Sequence, residues 1–264
     1  MTSESLDNAA DRAATHHLGG SMSDQSSVLV VTAHPGDFVW RAGGAIALAV
    51  SRGQRAVIAC LSFGERGESA SAWLAGKQLD EIKELRRQEG QTAANALGAE
   101  VRFFDAGDYP LRDTPELMSA LVDLYREVQP TVVLTHAAAD PYNMDHPKAS
   151  EIALHARVLA QAPGVAGPGE VIGAPPVFAF EPHQSEVCGF LPNVLLDITP
   201  VWDRKVAAMA ALGAQKHLLE YYTDLGKRRG VQAKRNSGLN LGLPDNTYAE
   251  AFQRFYPQVT AELD

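Results

Sequence analysis

His34 and Asp37, three residues apart in the stretch AHPGDF (33–38), are both metal-ligand types and follow directly on the apolar run VLVVT. A third donor from elsewhere in the chain would complete a site, and His146 is the best placed. Pro147 suits the first turn of a helix, so His146 stands at or just before a helix start, facing whatever gathers at the neighbouring strand ends. His155, nine residues further on, is about 180° around an ideal helix and is expected to face away. His34, Asp37 and His146 make a two-histidine, one-carboxylate set suited to zinc, with a position open for water or substrate. The competing reading is a polar cluster without a metal. Gly36, between the two ligands, stands where a second carboxylate would fit. The chemistry to explain is therefore that of a metal pair lacking an adjacent acid.

These residues need a scaffold that brings loop ends together. Short β-branched runs near 28–33, 56–62, 101–104 and 131–136 alternate with helix-period segments near 43–52, 77–98, 114–128 and 147–162. That alternation implies parallel strands joined by right-handed crossovers: an α/β, Rossmann-like, mostly parallel sheet with helices on both faces. VFAFE (177–181) and VLLDI (194–198) read as further strands, and 202–225 as one long helix after Pro200. Residues 226–247, rich in glycine, asparagine and positive charge, read as an irregular excursion, a lid or subunit contact. In such sheets the site lies beyond the carboxyl ends of the strands. Each strand here ends in reactive side chains: His34 and Asp37; Glu65, Arg66 and Glu68; Asp105 and Asp108; His136, Asp140, Asp145 and His146; Glu181 and His183. His136, ending its strand, is either a partner that orients a ligand or a core histidine bonded to a backbone carbonyl.

Composition narrows the partners. Across 264 residues, 23 Lys and Arg against 32 Asp and Glu give a net charge of −9, which repels nucleic acid and anionic membranes. No apolar run approaches the roughly 20 residues of a spanning helix. Cys60 and Cys188 suggest packing in a reducing compartment with no disulfide framework. Residues 1–26 lack a secretory signal pattern and read as a disordered tail, leaving 27–264 as one domain. His16 and His17 lie in that tail, and Met22 is an alternative start. A cytoplasmic homo-oligomer acting on a small molecule is the expectation.

The AHPGD loop, the Gly43-Gly44 pair and the later Asp145-His146 resemble the LmbE/PIG-L zinc N-deacetylases, whose pattern is AHPDD followed by HPDH. That resemblance implies zinc on His34, Asp37 and His146. The family's general base, the first Asp of its pair, is Gly36 here, and the first His of HPDH, which polarises the substrate carbonyl, is Asn143. General-base catalysis typically contributes about 10²- to 10⁴-fold, so ordinary amide hydrolysis is not what these departures suggest. Longer runs, DFVWRAGGAIAL (37–48), CLSFGERGES (60–69), DPYNMDHP (140–147), GAPPVFAFEPHQ (173–184) and RGVQAKRN (229–236) among them, are similar to the 4-oxalomesaconate hydratases, an offshoot of the same fold in gallate and protocatechuate 4,5-cleavage catabolism. That similarity implies hydration of 4-oxalomesaconate, or its enol, to 4-carboxy-4-hydroxy-2-oxoadipate.

Hydrating an alkene conjugated with an oxo acid requires an electrophile for the developing enolate, a base for water and an acid for carbon. Zinc suits the first role. Glu68 and His183 are the candidate acid–base pair, with Glu65 as rival to Glu68. A salt bridge to Arg66, or a structural histidine beside Pro182, are the alternatives. A tricarboxylate substrate calls for local positive charge: Arg41, Arg66 and Arg229 are available, and arginine's planar fork suits carboxylates. Tyr142 and Asn143 are candidate donors to the substrate, and Asp145 a carboxylate that orients a ligand histidine. Two other classes stay open: an N-deacetylase acting on an N-acetyl sugar or related amide, and a zinc-stabilised binding module.

Overall fold

Alternate residues of the first strand serve two cores. In SVLVVT, Val28 and Val30 join the cluster packed under one set of helices, while Leu29 and Val31 join the cluster on the other face. That is the pattern of a strand buried on both sides. A computed structural model describes residues 26–237 and 242–259; the expected N-terminal tail, apart from Ser26, lies outside the described residues. Among them, seven strands form one sheet: β1 (Ser27–Thr32), β2 (Arg55–Cys60), β3 (Glu100–Phe103), β4 (Val132–Thr135), β5 (Val177–Phe180), β6 (Val194–Asp197) and β7 (Ala249–Arg254). Their order is β3-β2-β1-β4-β5-β7-β6. The first five pair in parallel, and β7 is antiparallel to both neighbours. Helices α1 (Pro35–Ser51), α3 (Leu79–Leu97) and α6 (Trp202–Ala210) pack on one face, and α4 (Pro115–Val128) and α5 (Asp145–Ala160) on the other; α2 (Ala70–Leu74) is one short turn. The mostly parallel α/β sheet is as the sequence implies. No helix among the described residues is long and apolar enough to cross a membrane.

Four elements differ from the sequence reading. Helix α1 begins at Pro35 instead of 43, so the candidate ligand loop is itself the helix start. The single helix expected over 202–225 is two, α6 and α7 (Leu218–Ser237), broken by a 3-10 turn at Gly213–Gln215. The excursion expected over 226–247 is helical as far as Ser237, and 238–241 lie outside the described residues. Its glycines suggested a break, but they serve close approach. A Cβ on Gly230 would overlap the Thr247 carbonyl oxygen, and one on Gly226 would meet the Trp202 ring at 3.1 Å. Strand β7 was not anticipated: AEAFQR carries no β-branched residue, and its place between β5 and β6 is set by tertiary pairing.

A buried ion pair ties β7 and α6 to the middle of α1. Lys205 Nζ donates to Glu250 at 2.6 Å and to the Trp40 carbonyl at 3.0 Å, while the Glu250 carboxylate accepts from the Gly44 and Ala45 amides at 2.7 and 2.8 Å. Gly44 has to be glycine, because a Cβ there would stand 2.6 Å from Ile198 Cδ1. Removing one partner of a buried pair strands the other charge, which typically costs about 3–5 kcal/mol. Lys205→Met is expected to lose stability of that order in urea unfolding. A loss below about 1 kcal/mol would mean that the pair does not anchor the helix.

Candidate active site

The first turn of α1 supplies the centre. Asp37 lies at the helix N-terminus, where negative charge is favoured, and its Oδ2 accepts the His34 backbone N–H at 3.0 Å. The same oxygen is 3.1 Å from His34 Nδ1 and 3.5 Å from His136 Nε2; Oδ1 is 3.3 Å from His146 Nε2 and 3.4 Å from Arg41 Nε. All five residues are buried. His34, Asp37 and His146 each offer a donor atom within 4.8 Å of the others.

Three observations fit a cation there. His146 Nδ1 donates to Asp140 Oδ2 at 2.7 Å, while its Nε2 is buried without a hydrogen-bond partner among the described residues. A carboxylate behind one ring nitrogen and a free second nitrogen is the usual arrangement of a ligating histidine. His34 is ringed by acids. Burial opposes charge on it, yet Glu68 first, then Asp108, Asp145 and Asp37, hold its pKa well above the ordinary value. Without a metal these carboxylates draw a proton to His34; a divalent ion would answer the same field and leave the ring neutral as a ligand. Burial also opposes ionisation of Asp37, but its neighbours, the His146 and His136 rings and the Arg41 guanidinium, keep its carboxyl well below the carboxylate range.

A second buried set, His34 with Asp108 and Asp145, is sterically possible. In it both Asp145 oxygens are taken, by the Tyr109 and Leu111 amides at 2.9 Å each, and Asp108 Oδ2 accepts from the Arg66 and Gly67 amides at 2.5 and 2.9 Å, so that Asp108 Oδ1, 3.0 Å from His34 Nε2, is its one unpaired carboxylate oxygen. The first set fits better. A third group, Asp113, Glu151 and His155, is exposed, so His155 does face away from the centre.

His136 is fully buried, accepts the Ala33 amide at 3.0 Å through Nε2, and stacks on His146 with ring centroids 4.3 Å apart. Burial first and then His146 push its pKa well below the ordinary value, so it is a neutral acceptor. Asp145 lies 3.5 Å from His34 Nε2, whereas the carboxylate behind His146 is Asp140.

Glu68 reaches the same centre from the loop after β2. Its Oε1 is 3.7 Å from His34 Nδ1, and its Oε2 accepts from the fully buried Arg86 of α3 at 2.7 Å. Glu65 is buried by a different route: it lines a cleft of about 660 Å³ with Arg66, Lys83, Asp108 and Arg112, and burial raises its pKa. His183 is half-buried and stacked on Tyr221 at 4.4 Å; burial, then the Arg41 charge, lower its pKa. Arg41 is buried between Asp37 and Asp140, while Arg66 is exposed at the rim of the cleft. Tyr142 is exposed, and Asn143 Oδ1 accepts the Asp145 backbone N–H at 3.0 Å. Arg229 is not free: both arms of its fork go to Glu181, with Nε donating at 2.8 Å.

Three residues of this site were not singled out from the sequence. Asp140 was only one of several acids at a strand end. Arg86 and Gln215, whose Oε1 accepts from Trp40 Nε1 at 3.2 Å and from Arg86 Nη2 at 3.5 Å, had no local signal, because each gains its place from contacts made across the fold.

Residues 29–157 match the model of the PIG-L family, GlcNAc-PI de-N-acetylase. The chain is 52% identical over 240 residues to a 4-oxalmesaconate hydratase of Pseudomonas putida, covering 90% of this chain and 93% of the relative. It is 29% identical to a 1D-myo-inositol 2-acetamido-2-deoxy-alpha-D-glucopyranoside deacetylase of Saccharopolyspora erythraea, covering 71% and 77%. Among solved structures it resembles GalB, the 4-carboxy-2-hydroxymuconate hydratase from Pseudomonas putida, at 51% identity and a TM-score of 0.87, covering 91% of this chain and all of that one (100%). Similar to a hydratase along nearly the whole of both chains and carrying the PIG-L match over its ligand loops, the chain belongs to the 4-oxalmesaconate hydratases of the PIG-L family.

Proposed function

We propose that the protein is a zinc-dependent hydro-lyase that adds water across the carbon–carbon double bond of 4-oxalomesaconate, or its enol 4-carboxy-2-hydroxymuconate, giving 4-carboxy-4-hydroxy-2-oxoadipate. The observation that carries this reading is at position 36. The loop keeps His34 and Asp37 but has glycine where the deacetylase pattern has its base, and the space beside it holds the neutral Gln215 amide, not a carboxylate. A full-length hydratase relative supplies the reaction that suits such a site.

Hydration puts a hydroxyl on one carbon and a hydrogen on the other, so one protein group takes a proton from water and another delivers one to carbon. Zinc held by His34, Asp37 and His146 would supply a Lewis acid for the oxo or enol oxygen that gains charge. Glu68 stands beside that centre with one oxygen fixed by Arg86, which leaves the other to accept the water proton. His183 is the partner at carbon. Burial and Arg41 lower its pKa, making its protonated form a readier donor than a free histidine. Of the three arginines, Glu181 occupies Arg229 with two hydrogen bonds; Arg66 is exposed, and Arg41, though 3.4 and 3.9 Å from Asp37 and Asp140, keeps a buried Nε without a hydrogen-bond partner among the described residues, so these two are left for substrate carboxylates.

The test is loss of the conjugated ultraviolet absorbance of 4-oxalomesaconate, with the hydrated product identified, using zinc-loaded and chelator-treated protein. Turnover by the loaded protein alone is the expected result. Unchanged absorbance with metal bound, together with acetate release from an N-acetylglucosamine derivative, would overturn it in favour of a deacetylase.

A further inference from the structure

Gly36 is occupied space. A Cβ built there would overlap Gln215 Oε1 and approach Gln215 Cδ to 3.2 Å and Trp40 Nε1 to 3.0 Å. The side-chain volume that glycine gives up between the two ligands is filled by a carboxamide from the 3-10 turn between α6 and α7, held by the indole of Trp40, 175 positions away along the chain, whose Nε1 donates to it at 3.2 Å.

 Gln215 is itself buried.

The carboxamide belongs to a network that ends on Glu68. Gln215 Oε1 accepts from Trp40 Nε1 and, at 3.5 Å, from Arg86 Nη2; the same Arg86 nitrogen donates to Glu68 Oε2 at 2.7 Å. Arg86 Nη1 donates to Glu89 Oε2 at 2.5 Å, and Glu89 Oε1 accepts the Ala214 amide at 2.9 Å, which fixes the turn carrying Gln215. Arg86 Nε also donates to the Phe63 carbonyl at 3.3 Å, in the loop that bears Glu68. Arginine, glutamate, turn and glutamine thus close a ring, and Glu68 hangs from it toward His34.

We infer that Gln215 is a positioning residue for the hydration reaction: it takes the volume left by Gly36 and, through Arg86, holds Glu68 in its working place. The inference rests on the hydratase reading. A carboxylate in that volume would add negative charge beside Asp37 and Glu68, facing a substrate that carries three carboxylates. A neutral amide adds none, and still offers an acceptor to Arg86. Glycine at 36 and glutamine at 215 are therefore one device built from two distant positions.

The test uses zinc-loaded full-length protein and four variants: Gln215→Ala, Gln215→Met, Gly36→Ala, and Gly36→Ala with Gln215→Ala. Because small displacements of a reacting group are costly, each single variant is expected to lose about 10- to 100-fold in kcat with zinc content retained and KM changed by less than about threefold. The double variant should be no worse than the poorer single one, since both remove the same interaction. If Gly36→Ala fails to fold, Gln215→Met carries the test, being similar in size but unable to accept from Arg86. A wild-type kcat in the Gln215 variants, even with a lowered melting temperature, would reduce Gln215 to packing and overturn the inference, as would losses that multiply in the double variant. A wild-type protein that hydrates nothing would overturn the function as well.

Discussion

Glu68→Gln is expected to lower kcat for hydration by about 10²- to 10⁴-fold, the usual worth of a positioned general base. Glutamine keeps the shape and an oxygen acceptor for Arg86, so the ring of contacts around Glu89 and Gln215 stays closed. Zinc content should be unchanged, because Glu68 is not one of the three best-placed donors. The loss should fall on kcat more than on KM, since the carboxylate acts on water and does not clamp the substrate. Glu65→Gln is the control. Its side chain lines the neighbouring cleft beside Lys83, so its removal should leave kcat within about tenfold of wild type, well short of the general-base range. If the two variants exchange these outcomes, the base is Glu65. If neither loses activity, the water proton goes elsewhere.

How far the sequence could be read follows from where the information sits. The apolar alternation of SVLVVT and the β-branched runs after it are local, and they place the parallel strands whose carboxyl ends carry the polar loops. His34, Asp37 and His146 could be grouped because a strand end and a helix start are local signals too, and the structure brings their donor atoms within 4.8 Å. What was not legible depends on distant contacts. The part of α7 from Gly226 onward reads from sequence as an irregular excursion because Gly226 and Gly230 lower helix propensity. Their reason is the approach of Trp202 and Thr247, which no window of sequence contains. Arg229 looked free to bind a carboxylate, but Glu181, 48 positions away, claims it. Gly36 raised the right question from the sequence alone, and the Gln215 side chain that answers it comes from a turn that had been read as the middle of a helix.

Asp37→Asn is the substitution that should do most to the metal. Its carboxylate is the only anionic member of the favoured donor set, and four other groups arrange themselves on it: the His34 amide, the His136 and His146 rings, and Arg41. Asparagine is nearly the same shape but brings no charge to offset a divalent ion. Asp140→Asn makes the useful comparison, because Asp140, hydrogen-bonded to His146 Nδ1, would act on a bound ion only through that ring. Loss of such an outer carboxylate typically weakens metal binding by about 10- to 100-fold, so Asp37→Asn should exceed that range and abolish hydration. A zinc titration against a competing chelator, read beside kcat at saturating zinc, separates the two. Asp140→Asn should recover most of its turnover when zinc is added in excess, and Asp37→Asn should not. Zinc bound to Asp37→Asn as tightly as to the wild type would remove Asp37 from the ligand set. The ion would then belong with His34, Asp108 and Asp145, and Glu68 would have to act from the other side of His34.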